Sequence, residues 1–442
     1  MNYSETAHDD ERGATQAVQE SGEESAPLLG RRGNTENGGT SSALKFVLMC
    51  GFNSFVADWV YEGSRSILGP YLLLLGADAL AISVISGFGE FLGYALRLIS
   101  GRSADRTGLY WPITIAGYIL QMAAVPLLSL ARSWQVAGLL IILERVGKAT
   151  RSPPLKAMLS HAAKSMGFGW AFGIHEAMDQ IGALFGPLFV ALLLKVKHEN
   201  YQFTFAMLAA PAAVMLLGVA VARLVYPHPE NLESQSPGQD TDKLPRVFWI
   251  YLLASSLVGA GFADFPVMAY KFRRTGDLSD EFVPVVYAIS MAVAGTGSLA
   301  FGRLFDRFGL NLLALLTLVA AAYAPLVFLG RGHVLGIIGS CFWGLGTGVH
   351  ESIIPAAVAP MVGPGRRASA YGLFTAIYGV SWFLGSTVIG LLFNRWMPAV
   401  VIFSVGLQLA AIPLIVYADR LISQSQTSTG AEEEPFLEPS DI

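Results

Sequence analysis

Charge is what this sequence has least of. Of 442 residues only 14% are Asp, Glu, Lys or Arg, against 53% hydrophobic ones. The mean hydropathy is +0.50. Soluble domains average about 25% charged residues, so that class is excluded and a polytopic membrane protein is expected, with the lipid bilayer as its first partner. Cysteine is nearly absent. Cys50 and Cys341 are the two present, both within apolar runs, which implies no disulfide framework and no metal site. The first forty or so residues are polar, so no cleavable signal peptide is expected. No hydrolase constellation appears, so no enzyme and no cofactor are expected. The net charge of −4 excludes little, because the acids gather in the tails.

What is present is apolar length. Twelve apolar segments fall near 43–73, 79–100, 110–131, 134–155, 168–195, 202–226, 246–271, 282–301, 311–330, 334–361, 369–393 and 397–418. As a helix, each spans about 30 Å of hydrocarbon. The fold class is therefore an all-α membrane protein. Residues 1–42 read as a disordered tail, 43–226 as a first six-helix half, 227–245 as a linker, 246–420 as a second half and 421–442 as an acidic tail. An even number of spans puts both tails on one side. Arg97, Arg102, Arg106, Arg151, Lys156, Lys164, Arg303 and Arg307 fall on that side, so the positive-inside rule makes it the cytoplasm. In the first tail, Glu24, Leu28 and Leu29 fit an acidic dileucine pattern. It resembles a sorting signal toward endosomes, lysosomes or vacuoles; a plain solvated tail is the alternative, with the plasma membrane as destination.

A polar stretch divides the second and third runs: Gly101-Arg102-Ser103-Ala104-Asp105-Arg106-Thr107-Gly108. It recurs 201 residues later as Gly302-Arg303-Leu304-Phe305-Asp306-Arg307-Phe308-Gly309. Such self-similarity marks two copies of one unit. Glycine permits the tight reversal. The Asp is expected at the start of the following helix, facing the positive end of its dipole. Elsewhere, Ala57-Asp58 is echoed by Ala263-Asp264, Pro154 by Pro355, and Gly186 by Gly385. Two parallel halves suit a rocking transporter with one cavity at their interface.

The pattern Gly-x-x-x-Asp-Arg-x-Gly, seen twice, resembles the signature loop of the major facilitator superfamily. Both copies depart from it: the family continues with basic residues, where this chain has Leu109-Tyr110 and Leu310-Asn311. The resemblance implies two six-helix halves, loops whose Asp latches one conformation, and a central cavity lined by helices 1, 4, 7 and 10. By position, Asp58, Glu62, Arg145, Asp264, His350 and Glu351 are then cavity candidates. Arg145 with Ala149 partly matches the family's helix-4 motif, whose Arg is linked to proton coupling. Gly182 to Gly186-Pro187 resembles part of the motif of proton-driven antiporters; small-residue helix packing is the other reading. The stretch from Glu144 to Pro154, with Trp170 to Asp179, is similar to a largely uncharacterised bacterial-type branch.

A charge at membrane depth costs several kcal/mol, about 3 at the least, and so has a partner or a task. Asp58, Glu62 and Arg65 share one face of the first helix; Glu144, Lys148 and Arg151 share one face of the fourth. Asp58, Glu62, Arg145 and Asp264 are the proton-coupling candidates. Glu144, Lys148, His175, Glu176, Asp179, His350 and Glu351 are cavity candidates. Ion pairing within the fold, as between Glu144 and Lys148, is the alternative at each. His175-Glu176-Ala177-Met178-Asp179 resembles a zinc-protease helix, but Asp stands where the second His belongs, so no metal is expected.

These readings converge on a monomeric secondary transporter of a small organic molecule, working by alternating access. Proton-coupled efflux comes first and proton-coupled uptake second. A receptor or sensor on the same fold is the rival class. Partners are the substrate, protons and lipid, with no nucleic acid.

Overall fold

The structure, a computed structural model, describes residues 33–166, 168–227, 244–358, 361–362 and 367–432. Glu24, Leu28 and Leu29 lie outside these residues, as does nearly all of the 227–245 linker.

Among the described residues, fourteen α-helices build the twelve expected spans. The first half holds α1 (Gly33–Leu74), α2 (Ala79–Thr107), α3 (Tyr110–Leu127), α4 (Trp134–Met166), α5 (Phe168–Val196), α6 (Tyr201–Met207) and α7 (Ala209–Val225). The second holds α8 (Arg246–Ala260), α9 (Phe265–Thr275), α10 (Val283–Phe308), α11 (Leu310–Ala320), α12 (His333–Ala356), α13 (Arg367–Arg395) and α14 (Met397–Glu432). Two spans are each built from two α-helices, and proline follows each break. Pro211 lies in the first turn of α7 and Pro266 in that of α9, where a missing N–H is harmless but would interrupt a continuous helix. Among the described residues nine spans are long and apolar enough to cross a membrane by length and composition. The other three are α4, α10 and α12; α4 carries Glu144, Arg145, Lys148 and Arg151.

Two helices overrun the expected tails. α1 begins at Gly33, inside the stretch 1–42 that reads as disordered, and α14 runs to Glu432, inside the acidic tail 421–442. Nucleation is the expensive step of helix formation. A membrane span supplies the nucleus, and polar residues then extend it.

The two halves repeat their packing. α1 packs on α5, α4 and α7, while α8 packs on α13 and α14; α3 lies on α4 as α11 lies on α12. The glycine pair Gly186 and Gly385 shows why. A Cβ at Gly186 would overlap the carbonyl of Trp59 on α1, and a Cβ at Gly385 the carbonyl of Ala260 on α8. Only a missing side chain permits such crossings. Between the halves, α2 lies along α13, α5 along α10 and α1 along α9.

The signature stretches are helical, which corrects one expectation. α2 continues to Thr107 and α10 to Phe308, so Asp105 and Asp306 sit near the ends of the preceding helices, not at the starts of the following ones. Each helix stops at glycine with positive φ, 67° at Gly108 and 59° at Gly309. Gly101 and Gly302, at the start of each stretch, weaken the helix by about 1 kcal/mol each without ending it. In the second half a distant acid takes the cap: Asp419 of α14 accepts from the backbone N–H of Leu310 at 3.2 Å and from Asn311 Nδ2 at 2.6 Å.

Candidate functional site: a buried charge cluster in the first half

The charged face of α1 meets the charged face of α4. Asp58, 9% exposed, lies 3.8 Å from Lys148 Nζ and 3.8 Å from Arg151 Nη2. Lys148 Nζ also sits 3.6 Å from the Tyr61 ring centroid, a cation–π contact. Arg151 is held from its other side by α3: Nε donates to Gln121 Oε1 at 2.6 Å and Nη1 to Tyr118 Oη at 3.3 Å. Gln121 turns its amide to Glu144 Oε1 at 2.9 Å. An amide with one donor on an acid and its oxygen on a cation fixes both at once.

Two turns further along α1, the partners change. Arg65 Nη2 lies 3.3 Å and Arg145 Nη1 3.0 Å from the same oxygen, Glu90 Oε1 on α2. Arg145 also donates to Tyr61 Oη and reaches Glu144 at 3.7 Å. Arg145, expected to act on Asp58, is thus engaged by Glu90, Glu144 and Tyr61; the cations at Asp58 are Lys148 and Arg151. The expected pairing of Glu144 with Lys148 is likewise replaced, by Gln121 and Arg145. Glu62 faces the other half, where Tyr287 Oη of α10 donates to its Oε2 at 2.5 Å. This bond ties the cluster to the interface between halves.

The other candidates divide. His175 Nε2 is 2.8 Å from Ser54 Oγ on α1, and its Nδ1 is 3.8 Å from Asp179. Glu176 is exposed and accepts from Gln180 at 3.0 Å. Asp264, expected as a second cavity acid, is 2% exposed. Both its oxygens are taken by α13, from Trp382 Nε1 at 3.1 Å and Ser386 Oγ at 2.8 Å. It lies at the break between α8 and α9 and ties that point to α13, and no ion pair is described for it. His350 is bonded to Tyr378 Oη at 2.8 Å and lies 4.3 Å from the Phe262 ring, whereas Glu351 beside it is exposed. So α1 and α4, with Glu90 of α2, form one connected network; Asp264, His350 and Glu351 do not share a described ion pair with it.

Chemically the network offers four acids, Asp58, Glu62, Glu90 and Glu144, against four cations, Arg65, Arg145, Lys148 and Arg151. Balance makes it sensitive: a proton gained or lost by one acid leaves a cation in need of a new partner. Arg65 and Arg151 carry a sequence signal, as charges on the polar faces of the first and fourth helices; Glu90 is a lone acid in an apolar run. Gln121 and Tyr118 were not singled out. Their only signal is an amide and a phenol within an otherwise apolar run.

A family model described as Major Facilitator Superfamily matches residues 50–386, and again 278–438. The chain belongs to the major facilitator superfamily. An uncharacterised protein of Mycobacterium tuberculosis is 38% identical over 86% of this chain and 94% of its own length. An uncharacterised MFS-type transporter of Methanocaldococcus jannaschii is 27% identical over 79% of this chain and 89% of its own. Solved structures share the fold at low identity. The peptide transporter POT in complex with alafosfalin gives a TM-score of 0.70 at 14% identity, covering 88% of this chain and 99% of that one. The nucleoside transporter NupG gives 0.62 at 15%, covering 86% and 98%.

This superfamily member is therefore a multi-pass membrane protein of a transporter family. Within it, Gly182 and Gly186 of the antiporter-like stretch both abut α1, at Phe55 and Trp59. They act in helix packing whatever else they do. In the signature loops, Gly101, Arg106 and Gly108 lie at the end of α2, and Gly302, Arg307 and Gly309 at the end of α10; the side chains of Asp105 and Asp306 are outside the described ones.

Proposed function

We propose that this chain is a secondary active transporter that moves a small organic molecule by alternating access, driven by protons in the direction of export, with Asp58 as a main proton carrier. The observation that carries the reading is the pair of 3.8 Å separations at Asp58. They exceed the 2.7–2.9 Å or so of a charge-assisted hydrogen bond. Asp58 is buried between two cations yet hydrogen-bonded to neither. A carboxylate so placed can release its pairing to a proton without breaking a strong bond, and burial favours the neutral form while the cations favour the charged one. Movement of α4 relative to α1 would change that balance. The resemblance of Gly182 to Pro187 to an antiporter motif supports export. Both tails are assigned to the cytoplasm by the basic residues on their side.

Asp58→Asn should abolish pH-gradient-driven flux in proteoliposomes while leaving gradient-free exchange of the same substrate measurable. Retained pH dependence in the variant overturns the coupling role. Accumulation of substrate with the proton flow, rather than against it, overturns the direction.

A further inference from the structure

We infer that Gln121 of α3 is a positioning residue of the coupling site: together with Tyr118 it holds Arg151 back from Asp58, and so sets how readily Asp58 takes a proton. This clamp deepens the transport reading and rests on the coupling role proposed for Asp58.

A guanidinium carries its N–H donors in a rigid fork and has no acceptor. In Arg151 the fork is turned to α3. Nε donates to Gln121 Oε1 at 2.6 Å and Nη1 to Tyr118 Oη at 3.3 Å, and the guanidinium carbon lies 4.5 Å from the Tyr118 ring centroid. Nη2 is left for Asp58 and stops at 3.8 Å, about 1 Å beyond a charge-assisted hydrogen bond. So α3 holds the guanidinium more closely than α1 does.

Gln121 cannot turn away. It is fully buried, and its Nε2 donates to Glu144 Oε1 at 2.9 Å. That bond fixes the sense of the amide. Flipped, it would set N–H against the guanidinium and oxygen against the carboxylate. The frame is fixed too, because α3 and α4 cross backbone to backbone. A Cβ at Gly147 would lie 2.5 Å from the Gln121 backbone N, and one at Gly117 2.7 Å from that of Arg151. The clamp is therefore carried by α3 and α4 together and does not follow α1.

Asp58 lies within electrostatic reach of Lys148 and Arg151 from α4, of Asp179 from α5, itself beside His175, and of Glu62 on its own helix. Arg151 is the group here whose distance a third helix sets. Tighter pairing favours the carboxylate and looser pairing the neutral acid. Gln121→Met keeps the bulk, removes the acceptor at Nε and releases Arg151 toward its ion-pair partner Asp58. Gln121→Glu adds a charge that draws Arg151 further onto α3. The two changes act in opposite directions, which a residue that only fills space would not produce.

The test is infrared titration of the purified full-length protein in detergent, following the protonated-carboxyl band that Asp58→Asn removes. It needs neither substrate nor gradient. The midpoint of this band should fall by about one pH unit in Gln121→Met, tenfold in proton affinity, and rise by about one in Gln121→Glu. Tyr118→Phe, which removes the acceptor at Nη1 alone, should lower it by less. Unchanged midpoints, or shifts of one sign in both Gln121 variants, overturn the clamp, as does an Asp58 band that does not titrate in the wild type. If either Gln121 variant does not fold, the other decides together with Tyr118→Phe, and a shift of the wrong sign or none overturns the clamp. The pH profile of flux in proteoliposomes separates the two readings. Opposite band shifts that flux does not follow support the clamp and overturn the coupling role of Asp58.

Discussion

Lys271 and Asp277 are as buried as Asp58 and behave in the opposite way. Lys271 is 3% exposed and Asp277 7%. Lys271 Nζ donates to Asp277 Oδ2 at 2.6 Å and to the carbonyl of Gly330 at 2.8 Å; the N–H of Gly332 donates to Asp277 Oδ1 at 2.7 Å. Asp277 lies outside the spans. Burial pushes its carboxyl up, but the bonds from Lys271, Thr275 and Gly332 outweigh burial and hold it at about 2. The folded value is below the ordinary 3.8, so the stability it contributes is present above that value and is lost as pH falls through about 2. Thermal unfolding in detergent should therefore weaken between pH 4 and 2 through this group. Lys271→Met, which leaves Asp277 with its bonds from Thr275 and Gly332 but no cation, should destabilise by about 1–3 kcal/mol at neutral pH; a loss under about 0.5 kcal/mol would show the pair to be incidental. Held at about 2, Asp277 stays ionised at physiological pH. At this scale the sequence was legible only in part. Helical spacing placed Asp58 with Glu62 and Glu144 with Lys148 on single faces. It could not say that Arg145 turns to Glu90, because that pairing depends on how α2 and α4 pack across 55 residues of chain.

Elements were more legible than pairings. All twelve spans were readable as apolar runs, since a bilayer imposes length and composition on each. The repeat was readable too, and the matched crossings at Gly186 and Gly385 give it a packing cause. The end of α2 was not. A polar run looks like a loop, but charged residues propagate helix well, and only Gly108 and Gly309 actually stop it. The cap on α11 was illegible for another reason: Asp419 lies 109 residues from Leu310. Its removal is a clean probe. Asp419→Ala should lose about 1 kcal/mol of capping and speed hydrogen exchange in the first turn of α11 while leaving α3, the matching helix, unchanged. Unaltered exchange at Leu310–Leu313 would show that the contact does not hold the helix. Gly385→Leu is harsher. With no room against Ala260, α13 must move off α8, and folded yield should fall by an order of magnitude or so, as overpacking without relief predicts.

At the scale of the whole molecule, α2 and α13 join the halves along their length, from Gly390 against Leu80 to Gly372 against Leu98, and polar contacts add to this at the end remote from the signature loops. Asn394 Nδ2, at the end of α13, donates to Asp78 Oδ2, which caps α2, at 2.5 Å. Arg273 of α9 donates to Tyr201 Oη of α6 at 3.2 Å and is ion-paired with Asp280. α1 lies directly on α9 there, at Gly69 and Pro266. The side-chain bonds Asn394–Asp78 and Arg273–Tyr201 are exposed or partly exposed, whereas the α1–α9 crossing is buried. Each bond is worth on the order of 1 kcal/mol, so together they set a closure that a ligand's differential binding can reverse, since populations shift tenfold for about 1.4 kcal/mol. Alternating access requires this end to open. Cysteines replacing Asp78 and Asn394, in a background where Cys50 and Cys341 are Ser, should form a disulfide on oxidation. Flux through the oxidised protein should stop, and a reducing agent should restore it. The single substitution Asn394→Ala should have the reverse bias, leaving residues at this end more reactive to an impermeant thiol reagent. Full flux through the cross-linked protein would mean that substrate passes without separation of α2 from α13 here, and rocking of the two halves would have to be abandoned as the mechanism.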